Sequence, residues 1–284
     1  MQYVIMKDVE LLHNPLNIMH VVAFASGSGT NFREAILESR REGSNSSIDL
    51  LVTDLTKKNG KTIGAIDYAK EFHIPHICVN GFKYCGSWAE LKKTPEGIQE
   101  YDRNCIVFNE LLAQAVHDFE TQRGIKFDFA VLAGYMRMFK HALLRRFENR
   151  AINVHPARLD ELENGSRKYV GENAVYDALN AGETVTRSSI IVVAPGVDSG
   201  AILVSGPQLP YRGPRPVTQE LADQHQKLQK EVSDWPALKF ALHSIANGGV
   251  GLHKNKRHPD GNPVVVFRGH EMPYGGFNMV SHYE

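Results

Sequence analysis

Residues 17–37 read N-I-M-H-V-V-A-F-A-S-G-S-G-T-N-F-R-E-A-I-L. Asn17 to Phe24 is β-branched and apolar enough for a buried strand, and Phe32 to Leu37 is good helix sequence. Between them lies the glycine-rich turn Ser26-Gly27-Ser28-Gly29-Thr30-Asn31. Strand, glycine turn and helix N-terminus together bring unpaired backbone N–H groups to one point, which is a physical recipe for holding a phosphate. The turn matches neither GxGxxG nor a Walker A sequence, since no Gly-Lys-Ser/Thr follows. A turn that only joins strand to helix therefore stays open as the alternative.

Moving outward, strand and helix patterns alternate. Ile48 to Thr53 reads as a strand, Gly64 to Phe72 as a helix and His76 to Val79 as a strand. This alternation predicts an α/β fold with a mainly parallel sheet covered by helices. Gly81 to Pro95 breaks the pattern as a loop. Glu96 to Phe119 resumes helical spacing, with Ile106, Leu111, Leu112, Ala115 and Val116 as the expected buried stripe. Phe127 to Ala133 is the next strand, and the basic run Lys140 to Arg150 reads as a solvated helix face.

Ala151 to Pro156 reads A-I-N-V-H-P. In a strand, Asn153 and His155 point the same way, and Pro156, with no N–H to give, ends the ladder. An amide donor and an imidazole thus sit side by side at the C-terminal end of a strand, where open α/β sheets bind ligands. Ala157 to Val170 is polar and expected to be a loop, followed by a short helix over Asn173 to Asn180. Strands are predicted at Thr186 to Val193 and Ala201 to Ser205, with Asp198 in the Gly/Pro-flanked turn between them. Residues 217–246 read as one long helix or two, with Pro236 marking a break. After Gly248 the chain reads as irregular apart from Val264 to Phe267, and His253 and His258 as surface histidines.

In a chain of 284 residues, Lys+Arg and Asp+Glu balance at 32 each, so no global field draws it to nucleic acid or a membrane. Cys78, Cys85 and Cys105 lack metal or CxxC spacing, and no metal is expected. No signal peptide or membrane-spanning run is evident, so a cytoplasmic protein is expected.

In order along the chain, Ser26 to Asn31, Ala133-Gly134-Tyr135-Met136-Arg137, Asn153-Val154-His155-Pro156 and Val197-Asp198-Ser199-Gly200 resemble the motifs of the folate-dependent formyltransferases. The glycine loop points to the branch acting on glycinamide ribonucleotide in purine biosynthesis. The resemblance spans about residues 17–247, with residues 1–16 and 248–284 as extensions and an insertion at about 81–103. It implies a doubly wound, Rossmann-like sheet with helices on both faces and 10-formyltetrahydrofolate as co-substrate. It implies Asn153, His155 and Asp198 as the catalytic residues, and Gly27, Ser28, Gly29, Thr30 and Asn31 as phosphate holders. Glu231 would contact the substrate amine; Met136, Arg137, Met138, Phe139, Val193 and Val197 would line the pterin pocket. Small-molecule substrates and a monomer or homodimer are expected.

Two histidines of the family pattern fall on Asn173 and Ile191, and residues 157–162 depart from its Leu-Leu-Pro. These departures leave the acceptor open: another amine, such as an amino sugar nucleotide, or hydrolysis of 10-formyltetrahydrofolate. An initiator-tRNA formyltransferase would carry a basic face and a C-terminal domain that are not evident. A non-catalytic folate- or nucleotide-binding module would be expected to lack one of the three catalytic residues.

Overall fold

A computed structural model describes residues 7–280; residues 1–6 and 281–284 of the two expected extensions lie outside the described residues. The strand Met19–Ala25 is its centre. Met19, Val21, Ala23 and Ala25 feed one buried apolar cluster, and Val22 and Phe24 feed another on the opposite face. A strand apolar on both sides can only sit in the middle of a covered sheet.

Eight strands form that sheet, in the order Phe277–Asn278, Ile202–Ser205, Ser189–Val192, Ala151–His155, Phe129–Leu132, Met19–Ala25, Ser46–Thr53 and His76–Cys78. All neighbours are parallel except where Ser189–Val192 runs against both of its partners. From Met19–Ala25 the chain winds out through Ser46–Thr53 to His76–Cys78, then returns to Phe129–Leu132 on the other side. The strand ends at that reversal open a crevice. Two loops meet there: the Ser26 N–H donates to the carbonyl of Gly134 at 3.1 Å, and the Met136 N–H to Ser26 Oγ at 3.0 Å.

Helices Thr30–Ser39 and Trp235–Ala246 cover one face, contributing Phe32, Ile36, Leu238, Leu242 and Ile245 to its core. Helix Pro95–Arg123 covers the other. Its start is encoded by Thr94, whose side chain accepts the Gly97 N–H at 3.1 Å, and by Pro95; its end is Gly124 in the left-handed region. The buried stripe of this helix is Cys105, Phe108, Asn109, Leu112, Val116 and Phe119: Leu112 and Val116 are buried as expected, whereas Ile106, Leu111 and Ala115 do not belong to it. Leu111 lies one position off the i, i+3, i+4 row and is exposed.

Segments expected to be loops contain more order. Gly81–Cys85 and Trp88–Leu91 are short helices. Leu162–Glu163 pairs with Ser166–Arg167 across Asn164-Gly165, both at positive φ. Helices Gln219–Gln229 and Trp235–Ala246 are joined by a π-helical turn, Lys230–Asp234.

The two ends of the chain form a sheet together. Val9–Leu11 pairs with Val250–Arg257, followed by Pro263–Phe267 and His270–Glu271. His253 is buried there, not a surface histidine; its Nδ1 accepts the N–H groups of Asn255 and Lys256. The tail then adds Phe277–Asn278 to the main sheet. At Gly276, with φ +70, a Cβ would come within 2.3 Å of the Ile202 carbonyl oxygen, so only glycine admits this approach.

Candidate active site

Strand register brings Asn153 and His155 to the end of the sheet, beside Ile191 and Ser189. The loop after Val192 folds back over them with Asp198 at φ +46, a left-handed conformation that aspartate tolerates better than most residues. His155 Nδ1 lies 3.2 Å from Asp198 Oδ2, and both side chains are largely buried. Asn153 Nδ2 donates to Asp198 Oδ1 at 3.4 Å, and the Gly171 N–H to Asp198 Oδ2 at 2.8 Å. The three residues picked from the sequence therefore touch.

On its other side, His155 Nε2 lies 2.8 Å from the carbonyl oxygen of Tyr169. That oxygen only accepts, so both ring nitrogens face acceptors, and a ring carrying both protons satisfies both contacts. Burial pushes the Asp198 carboxyl up, but the His155 hydrogen bond and charge, the Gly171 N–H and Arg167 outweigh it and hold the group below the usual range.

Behind this pair lies a residue that periodicity did not single out. Asp234, on the π-helical turn, is buried, and burial pushes its carboxyl up to about 6 against the opposing pull of Gln229, Lys230 and His155. Its Oδ1 and the Oε1 of Gln229 have no hydrogen-bond partner among the described residues. Gln229 Nε2 donates to the carbonyl of Pro156 at 2.6 Å, tying this turn to the Asn153/His155 strand.

The glycine loop sits where Met19–Ala25 meets Thr30–Ser39, and Gly29 at φ +71 precedes the helix with no side-chain cap. A Cβ on Gly29 would come within 2.4 Å of the Ala65 Cα. A cavity of about 400 Å³ adjoins the loop, lined by Gly27, Ser28, Ile63 and Gly64 and, opposite, by Lys58, Asn59, Lys61 and Thr62. Lys57–Lys58 and Lys61–Thr62 are paired strands closed by Asn59-Gly60, both at positive φ, the tight hairpin that Asn-Gly favours. Lys58 and Lys61 are exposed and make no ion pair with a described residue. K-K-N-G-K-T carried the hairpin signal in the sequence, though not its place beside the loop.

The expected pterin-pocket residues divide. Met136, Met138 and Val197 keep apolar surface exposed. Arg137 is buried: its Nε donates to Asp54 Oδ2 at 2.7 Å, its Nη1 to the Tyr101 hydroxyl at 3.0 Å, and it lies over the Phe82 and Phe108 rings. Phe139 is buried and packs edge-on against Phe24; Val193 joins the same apolar cluster. Glu231 is exposed, and its carboxylate makes no hydrogen bond or ion pair with a described residue. Asn173 is exposed at the start of helix Ala174–Asn180, while Ile191 is buried with Leu159 and Ile202.

A family model described as Formyl transferase matches residues 19–208, well over half of the chain. This chain belongs to the formyl transferase family. Phosphoribosylglycinamide formyltransferase of Bacillus subtilis (strain 168) is 28% identical to it over 180 residues, 63% of this chain and 74% of the relative. The trifunctional purine biosynthetic protein adenosine-3 of Bos taurus is 27% identical over 237 residues, 84% of this chain; the match spans only 19% of that protein's length. Among solved structures, phosphoribosylglycinamide formyltransferase from Coxiella burnetii superposes with a TM-score of 0.64 at 21% identity, covering 92% of this chain and 99% of that one. That likeness speaks for the fold. Both antiparallel partners of Ser189–Val192 fall inside the family match, and the tail sheet falls outside it.

Proposed function

We propose that this formyltransferase moves a formyl group from 10-formyltetrahydrofolate to the primary amine of glycinamide ribonucleotide, in the cytoplasm, with residues 17–247 as the transferring unit. The observation that carries this reading is the contact of His155 with Asp198 at 3.2 Å beside the Asn153 amide. The names of the relatives support the choice of acceptor.

The amine nitrogen attacks the formyl carbon, its lone pair forms the new C–N bond, and the carbonyl electrons move to oxygen. Asn153 Nδ2 is the donor for that oxyanion; losing one such donor typically costs ~3 kcal/mol of transition-state stabilisation. His155, backed by the ionised Asp198, adds positive charge as the negative charge develops and supports proton transfer. When the intermediate collapses, the bond from the formyl carbon to the folate nitrogen breaks. That nitrogen leaves with a proton, and the amine gives one up. Asp198 holds the imidazole in register or relays a proton through water. Gly27 to Asn31 hold the acceptor's phosphate on their N–H groups, with Lys58 and Lys61 supplying charge from across the cavity. Met136, Met138 and Val197 offer apolar surface to the flat pterin.

A second acceptor, another phosphorylated amine, is favoured by the exposed Asn173 and buried Ile191 at two of the family's histidine positions. Replacement tests the chemistry. His155→Ala is expected to abolish transfer while the folate still binds, and Asp198→Asn to lower the rate at least ~100-fold with the fold intact. Near-normal turnover in either variant removes that residue from the mechanism.

A further inference from the structure

The tail of the chain reaches the site. Arg167 Nη1 donates to the carbonyl of Asp198 at 2.5 Å, while its Nη2 donates to Asp260 Oδ2 at 3.0 Å and its Nε to the Tyr274 hydroxyl at 3.1 Å. The Tyr274 hydroxyl donates to the same Asp260 oxygen at 2.9 Å, and Arg167 lies over the Tyr274 ring. Asn262 Nδ2 donates to that oxygen at 2.8 Å and to the carbonyl of Ser199 at 2.7 Å. The Arg167 and Asp260 side chains are only 7% and 12% exposed. One buried cation thus ties the tail to the backbone of Asp198, the residue whose φ of +46 turns its carboxylate to His155. Two residues beyond Arg167, the carbonyl of Tyr169 takes the other side of the His155 ring.

We propose that Arg167, Asp260 and Tyr274 are positioning residues, a buried clamp through which the C-terminal segment fixes the His155–Asp198 contact. The proposal rests on the reading of that pair as catalytic. The guanidinium fork spends all three of its nitrogens on distinct acceptors, a geometry that a lysine ammonium cannot reproduce. Removing Asp260 leaves Arg167 buried beside Asp198 with one contact fewer, so either end of the clamp should disturb the pair.

The test compares Arg167→Ala, Arg167→Lys and Asp260→Asn with the full-length wild type, reading kcat and KM for the formyl donor, the thermal midpoint, and the titration of the His155 ring by nitrogen-15 NMR. A His155→Ala spectrum assigns the signal. The charges facing His155 are Asp198 and, from the π-helical turn, Asp234, and both are kept in every variant. The expected result is a kcat lowered ~10–100-fold in Arg167→Ala with donor KM within about twofold. The midpoint of the His155 titration should shift, with partial recovery of both readouts in Arg167→Lys. An unchanged His155 titration with wild-type kcat overturns the clamp. A parallel collapse of kcat, donor affinity and thermal midpoint in all three variants also overturns it, as that marks a purely structural role. If the wild type transfers no formyl group, the His155 titration still decides on the clamp, and the loss falls on the proposed function instead.

Discussion

At the scale of single residues, the site combines a carboxyl held low with one pushed high. Asp198 is held ionised by its neighbours, whereas Asp234 has one oxygen without a partner among the described residues, and burial pushes its carboxyl up to about 6 against an ordinary 3.8. Between those two values the native state keeps a proton on Asp234 that the unfolded chain has lost. Stability from this proton is fully present below about pH 4 and is lost as pH rises through about 6. The loss amounts to ~3 kcal/mol by pH 7. Asp234→Asn is therefore expected to be the more stable protein above pH 6, with the advantage shrinking toward pH 4, in urea unfolding at the two pH values. Equal differences at both would mean that Asp234 does not carry the proton. Asp198 has the opposite sign: its contribution is present at neutral pH and lost as pH falls through its depressed native value.

At the scale of elements, the Lys57–Thr62 hairpin and the glycine loop face each other across one cavity. Lys58→Ala with Lys61→Ala is expected to raise KM for a phosphorylated acceptor about tenfold or more and to flatten its salt dependence. Donor KM and stability should hold, because exposed unpaired ammonium groups contribute little to folding. An acceptor KM unchanged in low salt would remove the hairpin from binding. This element also marks a limit of reading from sequence. The A-I-N-V-H-P strand was legible because period-two alternation and a terminal proline leave Asn153 and His155 little freedom. The pairing with Asp198 followed from the family motif, not from spacing. The hairpin had a turn signal, but nothing local says which loop it faces. Arg137 was adjacent to exposed methionines in sequence, yet its charge is neutralised by Asp54, which lies on the far side of the central strand. Asp234 was not singled out because it lies in the π-helical turn Lys230–Asp234, where regular helical spacing between the two helices is interrupted.

Across the whole molecule, two stretches that read as extensions close on each other and on the main sheet. Phe267 of the terminal sheet stacks on Phe240 of helix Trp235–Ala246 at 5.4 Å between ring centroids and meets the tilted ring of Phe277, in the last strand, at 4.7 Å. A strand such as Val250–Arg257, buried at one end and exposed with charged residues at the other, carries no clean alternation, which is why this sheet was not legible. Phe267 is 5% exposed, so Phe267→Ala is expected to cost about 3 kcal/mol, read from the urea midpoint with an unchanged slope. A cost below ~1 kcal/mol would mean that the tail packs only loosely on the main body.

The most direct measurement is the release of tetrahydrofolate from 10-formyltetrahydrofolate, followed with glycinamide ribonucleotide present and absent. Release that depends on the ribonucleotide, with the formylated ribonucleotide recovered in equal amount, is the expected result. Release at the same rate without any acceptor would contradict formyl transfer and make the protein a hydrolase of the folate.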